Sequence, residues 1–461
     1  MTLTPAAAPG LGLAVTSGVS MGLPPIGELA SHLALLLAWA LVLSLSLQTL
    51  LTGWFVMRVR WLLQQRQRWP TEPAGGWPAA EVVLCLRGAD PSLAGALAAL
   101  ASQTYPGPWR LQLVVDSQAD PAWSVAKASL AALEACGRAG WLAAQLRPLE
   151  QRPRRGSLKS ASLRQAFAHL HPDTALVALV DADAIVSPQW LANLARACSQ
   201  PGVGAVSGNR WYQPQGPSLA GRVRAGWNGG ALVLMTLLGI PWGGSLAVRR
   251  QVIDAGAWSD RLISSLCEDT SLIQPLRQLG WRYAFRPELI ALDQDNSLAF
   301  AELVPWIGRQ LLTARLHHPA WPLVALHGAG SALLLSAAAA WLLLGRSALL
   351  AGALGLYELG CMGLLLWIEA TALSALTRPG SDTIPRQAAP IWRRAWDWLR
   401  DLPVTQLVYA VAFWHGCWDR QVGWRGVTYR VLGRREPGGP GVEALGWDDE
   451  LNRSTGPRSR F

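Results

Sequence analysis

Residues 29–57 carry no Asp, Glu, Lys or Arg, and four arginines follow at once, at Arg58, Arg60, Arg66 and Arg68. This run limits the fold more than anything else in the chain. About 20 apolar residues in a helix cross a bilayer core, where lipid offers no partner to a backbone N–H or C=O. The run is longer than that. Cationic flanks stay on the cytoplasmic side, so the pattern predicts a transmembrane helix over 29–57, with its N-terminus outside and the downstream chain in the cytoplasm. Residues 1–28 are rich in Ala, Gly, Pro and Ser and lack the basic start of a secretory signal; they are expected to be flexible.

Composition points the same way. Hydrophobic residues make up 51% of the 461 and charged residues 15%, which is apolar for a soluble enzyme. Lys+Arg 40 against Asp+Glu 30 leaves a net charge of +10, and Lys127 and Lys159 are the only lysines. A basic chain raises nucleic acid as a partner, but no motif for reading it is present. The arginines crowd beside apolar segments, which suits anionic lipid headgroups, and no nucleic-acid partner is expected. The 25 tryptophans fit a wide water–lipid interface. Cys85, Cys136, Cys198, Cys267, Cys361 and Cys417 show no CxxC spacing, so neither a disulfide framework nor a zinc site is expected.

After the first helix the pattern changes. Within residues 80–300, apolar strands at 81–86, 111–115 and 175–180 alternate with helical stretches at 92–102, 122–135, 158–170, 189–198 and 267–279. That alternation predicts an α/β domain with a mostly parallel sheet. Ligands of such sheets bind beyond the carboxyl ends of the strands, where Asp116 and Asp181 fall. Residues 300–320 read as an amphipathic interfacial helix bearing Trp306, Arg309 and Arg315. Two apolar segments fill 322–376, joined at Gly345-Arg346-Ser347, and are expected to span the membrane. Residues 391–432 read as an interfacial helix followed by a short membrane segment that spans or dips. The Gly/Pro-rich tail, 436–461, is expected to be flexible.

The chemistry begins with carboxylates. Asp181 and Asp183 end an apolar strand, and two carboxylates at that spacing reach one divalent cation together. Hard oxygen ligands suit Mg²⁺ or Mn²⁺ bridging a diphosphate; the plainer reading is a solvated turn. Asp293-Gln294-Asp295 repeats the spacing and is expected to end a later strand as a turn. Glu268 and Asp269 open a helix. They either complement its dipole or supply a general base, Asp269, for an acceptor hydroxyl. Lys159 is either a surface helix lysine or a nucleotide ligand.

Taken in order, Leu86-Arg87-Gly88-Ala89-Asp90-Pro91, Gln103-Thr104-Tyr105-Pro106 and Val114-Val115-Asp116 closely resemble the opening of family 2 glycosyltransferases. More narrowly they resemble the ceramide glucosyltransferase branch, family 21. Gly243-Gly244-Ser245 and Trp424-Arg425-Gly426, with Tyr429 and Arg430, are similar to that branch too, so the likeness spans 30–432. The resemblance implies a GT-A fold, a UDP-sugar donor, Mg²⁺ or Mn²⁺, and inverting transfer of one hexose to a membrane lipid acceptor. By position, Arg87, Asp116, Lys159, Asp181, Arg309, Gln310 and Arg315 would bind the nucleotide sugar, with Asp116 at the base. Asp181 and Asp183 would hold the metal, and Asp269 would be the catalytic base. Glu268, Gly244 and Arg425 would face the acceptor, while Arg425 and Tyr429 read equally well as interfacial anchors.

One motif departs. The family carries Gln/Arg-x-x-Arg-Trp on the interfacial helix, but here Arg309 is followed by Leu312 and Thr313 where Arg and Trp belong. Arg315, roughly one and a half turns further on, is the available substitute for the missing cation. The absent Trp argues against a processive polysaccharide synthase. Two other readings stay open: a polyprenyl-phosphate sugar or short polysaccharide synthase on the same fold, and a non-catalytic membrane scaffold.

Overall fold

The computed structural model describes residues 26–135, 140–214, 216, 218–294, 298–345, 347–376, 389–437 and 439–448. The flexible segment expected at the start, Arg346, Asp295 and the last part of the tail lie outside the described residues. The uncharged run forms a helix longer than itself: α1 spans Ile26–Gln67 and carries Arg58, Arg60 and Arg66 in its C-terminal turns. Cations are favoured there, where the helix dipole is negative.

Strands and helices then alternate as β1 (Ala80–Leu86), α2 (Leu93–Ala101), β2 (Trp109–Val115), α3 (Pro121–Ala135), β3 (Trp141–Pro148), α4 (Leu158–Ala168), β4 (Leu176–Val180) and α5 (Trp190–Cys198). Every strand and helix expected before residue 200 is present. A second half follows, with β5 (Val203–Ser207), β6 (Arg210–Tyr212), α6 (Leu219–Leu238), β7 (Ser245–Arg249), α7 (Arg250–Asp254), α8 (Ala257–Leu262), α9 (Glu268–Gln278), β8 (Arg282–Phe285) and β9 (Ala291–Asp293). The main sheet runs β3-β2-β1-β4-β7-β5-β8. Only β7 is antiparallel to its neighbours within it, so the sheet is mostly parallel, as expected. The runs in β1 and β4 are almost wholly apolar because both faces are covered. Val82 and Leu84 pack towards Leu97 and Leu113, while Val83 and Val177 pack towards Leu163 and Phe167. Strand order reverses between β1 and β4, and a crevice opens beyond their carboxyl ends.

A short turn at Phe300–Glu302 leads into α10 (Leu303–His317), α11 (Trp321–Leu344), α12 (Ala348–Leu376) and α13 (Ile391–Trp418). The span Glu28–Gln67 and helices α11 and α12 are long and apolar enough to cross a membrane. Helix α12 lies close along α1 because Gly360 has no side chain; a Cβ there would sit 2.6 Å from the Leu45 methyls. Three expectations are corrected here. Helix α10 is not a surface helix with one buried stripe. Its Leu303, Trp306, Ile307 and Leu311 pack with Ala412 and Phe413 of α13, while Leu312 packs on Val427 and Tyr429. Residues 391–418 form one continuous helix where two separate segments were expected, with Leu402, Val408 and Ala412 buried along it.

The third correction concerns the tail. Strands β10 (Gln421–Trp424), β11 (Val427–Leu432) and β12 (Gly441–Trp447) form an antiparallel sheet, so part of 436–461 is ordered. Val442 is fully buried beside Leu266, Leu312 and Tyr429, and that contact holds the Gly/Pro-rich segment down. Val442→Asp is expected to lower stability by about 3 kcal/mol, as a buried charge without a partner does. Leu445→Asp, on the same strand but 51% exposed, should leave stability within about 0.5 kcal/mol. Thermal melts of both variants in detergent check this.

Candidate active site

Strand β4 is buried along its whole length, and the chain leaves it at Asp181, whose backbone N–H donates to the Gly244 carbonyl at the start of β7 (3.3 Å). The Asp181 carboxylate pairs with Lys159 Nζ at 2.7 Å, and the same ammonium pairs with Glu268 Oε1 at 2.7 Å. Lys159 sits in the first turn of α4, where Ser157 Oγ accepts from Ser160 N and fixes the helix start. Burial pulls the Lys159 ammonium down, but Asp181 and Glu268 outweigh it and hold its pKa well above the ordinary lysine value. Lys159 is therefore a fixed charge inside the site, not a surface lysine.

Arg210, which the sequence did not single out, and Asp293, which it gave only as a turn, join this centre. The Arg210 guanidinium grips both oxygens of Asp183 at 2.8 and 2.9 Å, reaches Asp293 Oδ2 at 3.1 Å and Asp181 Oδ2 at 3.4 Å. Burial raises the Asp183 pKa, but Arg210 overrides it and drives the carboxyl far below the ordinary range. Parallel pairing of β6 with β9 brings Arg210 and Asp293 together. The repeated Asp-x-Asp spacing was the only hint of Asp293. Its strand does end there as expected, but beside the first pair of carboxylates.

Asp269 opens α9. Its Oδ2 accepts from Gly243 N at 3.0 Å and its Oδ1 from Thr270 N at 2.6 Å. Burial and the neighbouring Glu268 raise its pKa to about 6. The Gly243-Gly244 pair allows this crowding. A Cβ on Gly244 would lie 2.5 Å from Asp181 Oδ2 and against the Trp242 ring, and one on Gly243 would strike Glu268 Oε1. Gly244 thus acts through close backbone approach.

Cation-binding capacity separates two clusters. Asp181, Asp183 and Asp293 offer hard oxygens to an open cavity, and their chemistry fits Mg²⁺ or Mn²⁺. Cys267, Glu268 and Asp269 also bring donor atoms within 4.8 Å of one another. Burial and the two carboxylates keep the Cys267 thiol protonated, however, so that cluster suits a hard cation poorly.

The remaining expected residues divide. Arg309 and Gln310 line the cavity, with the Arg309 guanidinium 5.1 Å from the Trp424 ring. Burial lowers its pKa to about 10, leaving it charged. Arg315 points away and does not line the cavity. Its Nη1 donates to the Cys417 carbonyl and its Nη2 to the Asp419 carbonyl at 3.4 Å, closing the end of α13. Asp116 is buried and does not line the cavity either. Arg87 Nη1 pairs with it, Arg152 Nη2 lies 2.7 Å away, and Trp447 packs under the Arg152 guanidinium at 4.8 Å. Arg425 forms a two-residue hairpin turn with Gly426, both at positive φ (52° and 70°). Its carbonyl accepts from Arg87 Nε at 2.7 Å, and its side chain faces the cavity. Tyr429 is no interfacial anchor: it is 1% exposed, and its hydroxyl accepts from Leu158 N at 3.1 Å at the start of α4.

These groups surround one end of a cavity of about 1090 Å³. The other end runs between α1, α11, α12 and α13, past Leu51, Leu335, Leu354, Leu365 and Tyr409. Residues 37–436 match the family model described as Glycosyl transferase family 21. The chain belongs to that family. It is accordingly a glycosyltransferase, and its α/β domain is the GT-A domain expected. Among solved structures, a mannosyltransferase from Pyrobaculum calidifontis in complex with GDP-Man and Mn²⁺ is 17% identical, with a TM-score of 0.47 over 83% of this chain and 99% of its own. Glucosyl-3-phosphoglycerate synthase from Mycobacterium tuberculosis, in complex with Mn²⁺, UDP-glucose and phosphoglyceric acid, is 16% identical, with a TM-score of 0.33 over 57% of this chain and 80% of its own. Likenesses this distant leave the donor and acceptor of this family 21 member open. No curated protein sequence matches it significantly.

The two helix arginines should behave differently. Arg309→Ala is expected to lower kcat/KM for transfer by about 10²–10³, the scale of losing one charge-stabilising donor. Arg315→Ala should change kcat/KM less than about threefold and lower the melting temperature instead, because its contacts are to the end of α13. Steady-state kinetics and thermal melts of the two single variants check this.

Proposed function

We propose that this family 21 enzyme transfers a single hexose from a UDP-sugar to the hydroxyl of a membrane lipid, inverting the anomeric centre. The single observation behind this reading is the shape of the cavity. A charged chamber holding Asp181, Asp183, Lys159, Asp269 and Arg309 opens directly into an apolar space between the helices long enough to cross a membrane. A lipid lying in that space would bring its polar end to the carboxylates while its chains stay out of water.

On this reading the donor diphosphate lies between Asp181–Asp183 and Arg309. Lys159 holds Asp181 in place through its 2.7 Å pair. A Mg²⁺ or Mn²⁺ held by Asp181 and Asp183 would neutralise the charge building on the departing diphosphate. Asp269 takes the proton of the acceptor hydroxyl as its oxygen bonds to the anomeric carbon from the face opposite the leaving UDP. Burial favours Asp269 as that base, because a pKa of about 6 gives it more basicity than an exposed aspartate while leaving it ionised at neutral pH. The arginines at the end of α1 favour a cytoplasmic side for the α/β domain. Leu312 and Thr313, in place of Arg and Trp, leave no aromatic platform at those two positions for a growing sugar chain, which favours one transfer per acceptor.

Purified protein in lipid vesicles, given UDP-hexose and extracted lipid, tests the reading. One sugar on a non-polyprenyl lipid is the expected product, read by mass spectrometry. A polymer or a polyprenyl-phosphate sugar would replace this reading with a synthase, and no transfer with intact protein would favour a scaffold. Asp269→Asn should lower kcat by about 10²–10⁴, the usual share of a general base. Because the active form is the carboxylate, wild-type turnover should fall about tenfold per pH unit below roughly pH 6 and level off above it. A rate that stays flat down to pH 5 would remove Asp269 from the role.

A further inference from the structure

Arg210 occupies the oxygens that a divalent cation would take. Its side chain is 12% exposed and lies 5.1 Å over the Trp242 ring, while its two terminal nitrogens cover Asp183, Asp293 and Asp181 at 2.8–3.4 Å. Three carboxylates crowded at one end of the cavity repel one another, and a cation among them offsets that repulsion. Arg210 supplies that charge from within the chain. Its backbone is held: the carbonyl accepts from Asn228 Nδ2 at 2.7 Å, the N–H donates to Asn209 Oδ1 at 2.7 Å, and β6 pairs with β9. The strand is fixed while the long side chain keeps its rotatable bonds.

We propose that Arg210 is a placeholder counter-ion. Before the donor arrives its guanidinium fills the Asp181–Asp183–Asp293 cluster, and a divalent cation enters by displacing it, which frees the guanidinium to turn onto the donor's diphosphate. This rests on the reading of that cluster as the metal–diphosphate site. Two further observations point the same way. Arg315 on α10 is committed to carbonyls at the end of α13 and does not line the cavity, so it supplies no cation there. A planar guanidinium also suits both partners, since it binds a carboxylate or a phosphate through paired N–H groups. Arg210 competes with the metal for Asp183, so the metal should bind weakly until the guanidinium is drawn away.

Mn²⁺ binding to the full chain in detergent, followed by electron paramagnetic resonance without nucleotide, tests the competition. Arg210→Ala should bind Mn²⁺ at least tenfold more tightly than wild type, and Arg210→Lys, which keeps the charge but loses the fork, should lie between. Equal or weaker binding in Arg210→Ala would overturn the proposal, because it would make Arg210 an organiser of the ligands and not their competitor. Should the alanine variant fail to fold, Arg210→Gln is read against the same criterion. At saturating Mn²⁺, Arg210→Ala should bind UDP at least fivefold more weakly; unchanged UDP affinity would overturn the turn onto the diphosphate. Asp183→Asn separates the two levels of failure. If it binds Mn²⁺ as wild type does, the metal-site reading is wrong and the proposal falls with it; if it loses Mn²⁺, the Arg210 result decides.

Discussion

The ammonium of Lys159 joins the two halves of this active site. One half is the end of β4, which leads into Asp181; the other is the start of α9, which carries Glu268 and Asp269. Lys159 lies 2.7 Å from both Asp181 and Glu268. Glu268 is completely buried, and a buried carboxylate without a partner would cost several kcal/mol. The rest of the local architecture fixes this one side chain. Ser157 caps its helix, Tyr429 accepts the Leu158 N–H beside it, and the Gly243-Gly244 turn leaves room for the carboxylates it holds. Removing the ammonium would leave Asp181, Glu268 and Asp269 repelling one another.

The same dependence explains why the membrane-side elements are built as they are. Tyr429 lies on β11, and α10 is wedged beneath β11 through Leu312, which packs on Val427 and Tyr429. Helix α10 is in turn clasped by α13 through Phe413 and Ala412. Packing thus runs from helices suited to lipid, through α10, to the seat of Lys159. Arg309 belongs to the same wedge and lines the chamber. A buried connecting helix couples the α/β domain to these helices more firmly than a helix lying free on a surface would.

Much of this was legible in the chain because the signals were local. An uncharged run reads as a span, alternating apolar runs read as a parallel sheet, and Asp181, Asp183, Glu268 and Asp269 sit at element ends where carboxylates do chemistry. What escaped was set by pairing between distant segments. Arg210 and Asp293 meet through β6 and β9, three-residue strands too short to carry a period, and their meeting puts an arginine inside the carboxylate cluster. Asp116 ends a strand as expected, yet Arg152 from after β3 and Trp447 from the last strand close over it. The tail's Gly and Pro content suggested a loose end, while Val442 found a buried slot. Helical spacing placed Arg315 close enough to matter but not its direction, which the open carbonyls at the end of α13 decide.

Adjacent carboxylates in one helix turn would be expected to behave alike, and here they do not. Glu268 has an ammonium at 2.7 Å and no exposure to solvent, so its direct partner is a full charge. Asp269 accepts from neutral donors, the N–H groups of Gly243 and Thr270 and the Cys267 thiol, and feels Glu268 as a like charge beside it. Environments that differ in this way push neighbouring acids into separate roles. Glu268 is spent on fixing Lys159, and its fixed negative charge helps lift Asp269 towards the pKa a base needs. The two carboxylates therefore depend on each other: the charge that ties Glu268 to Lys159 is also one that raises the pKa of Asp269.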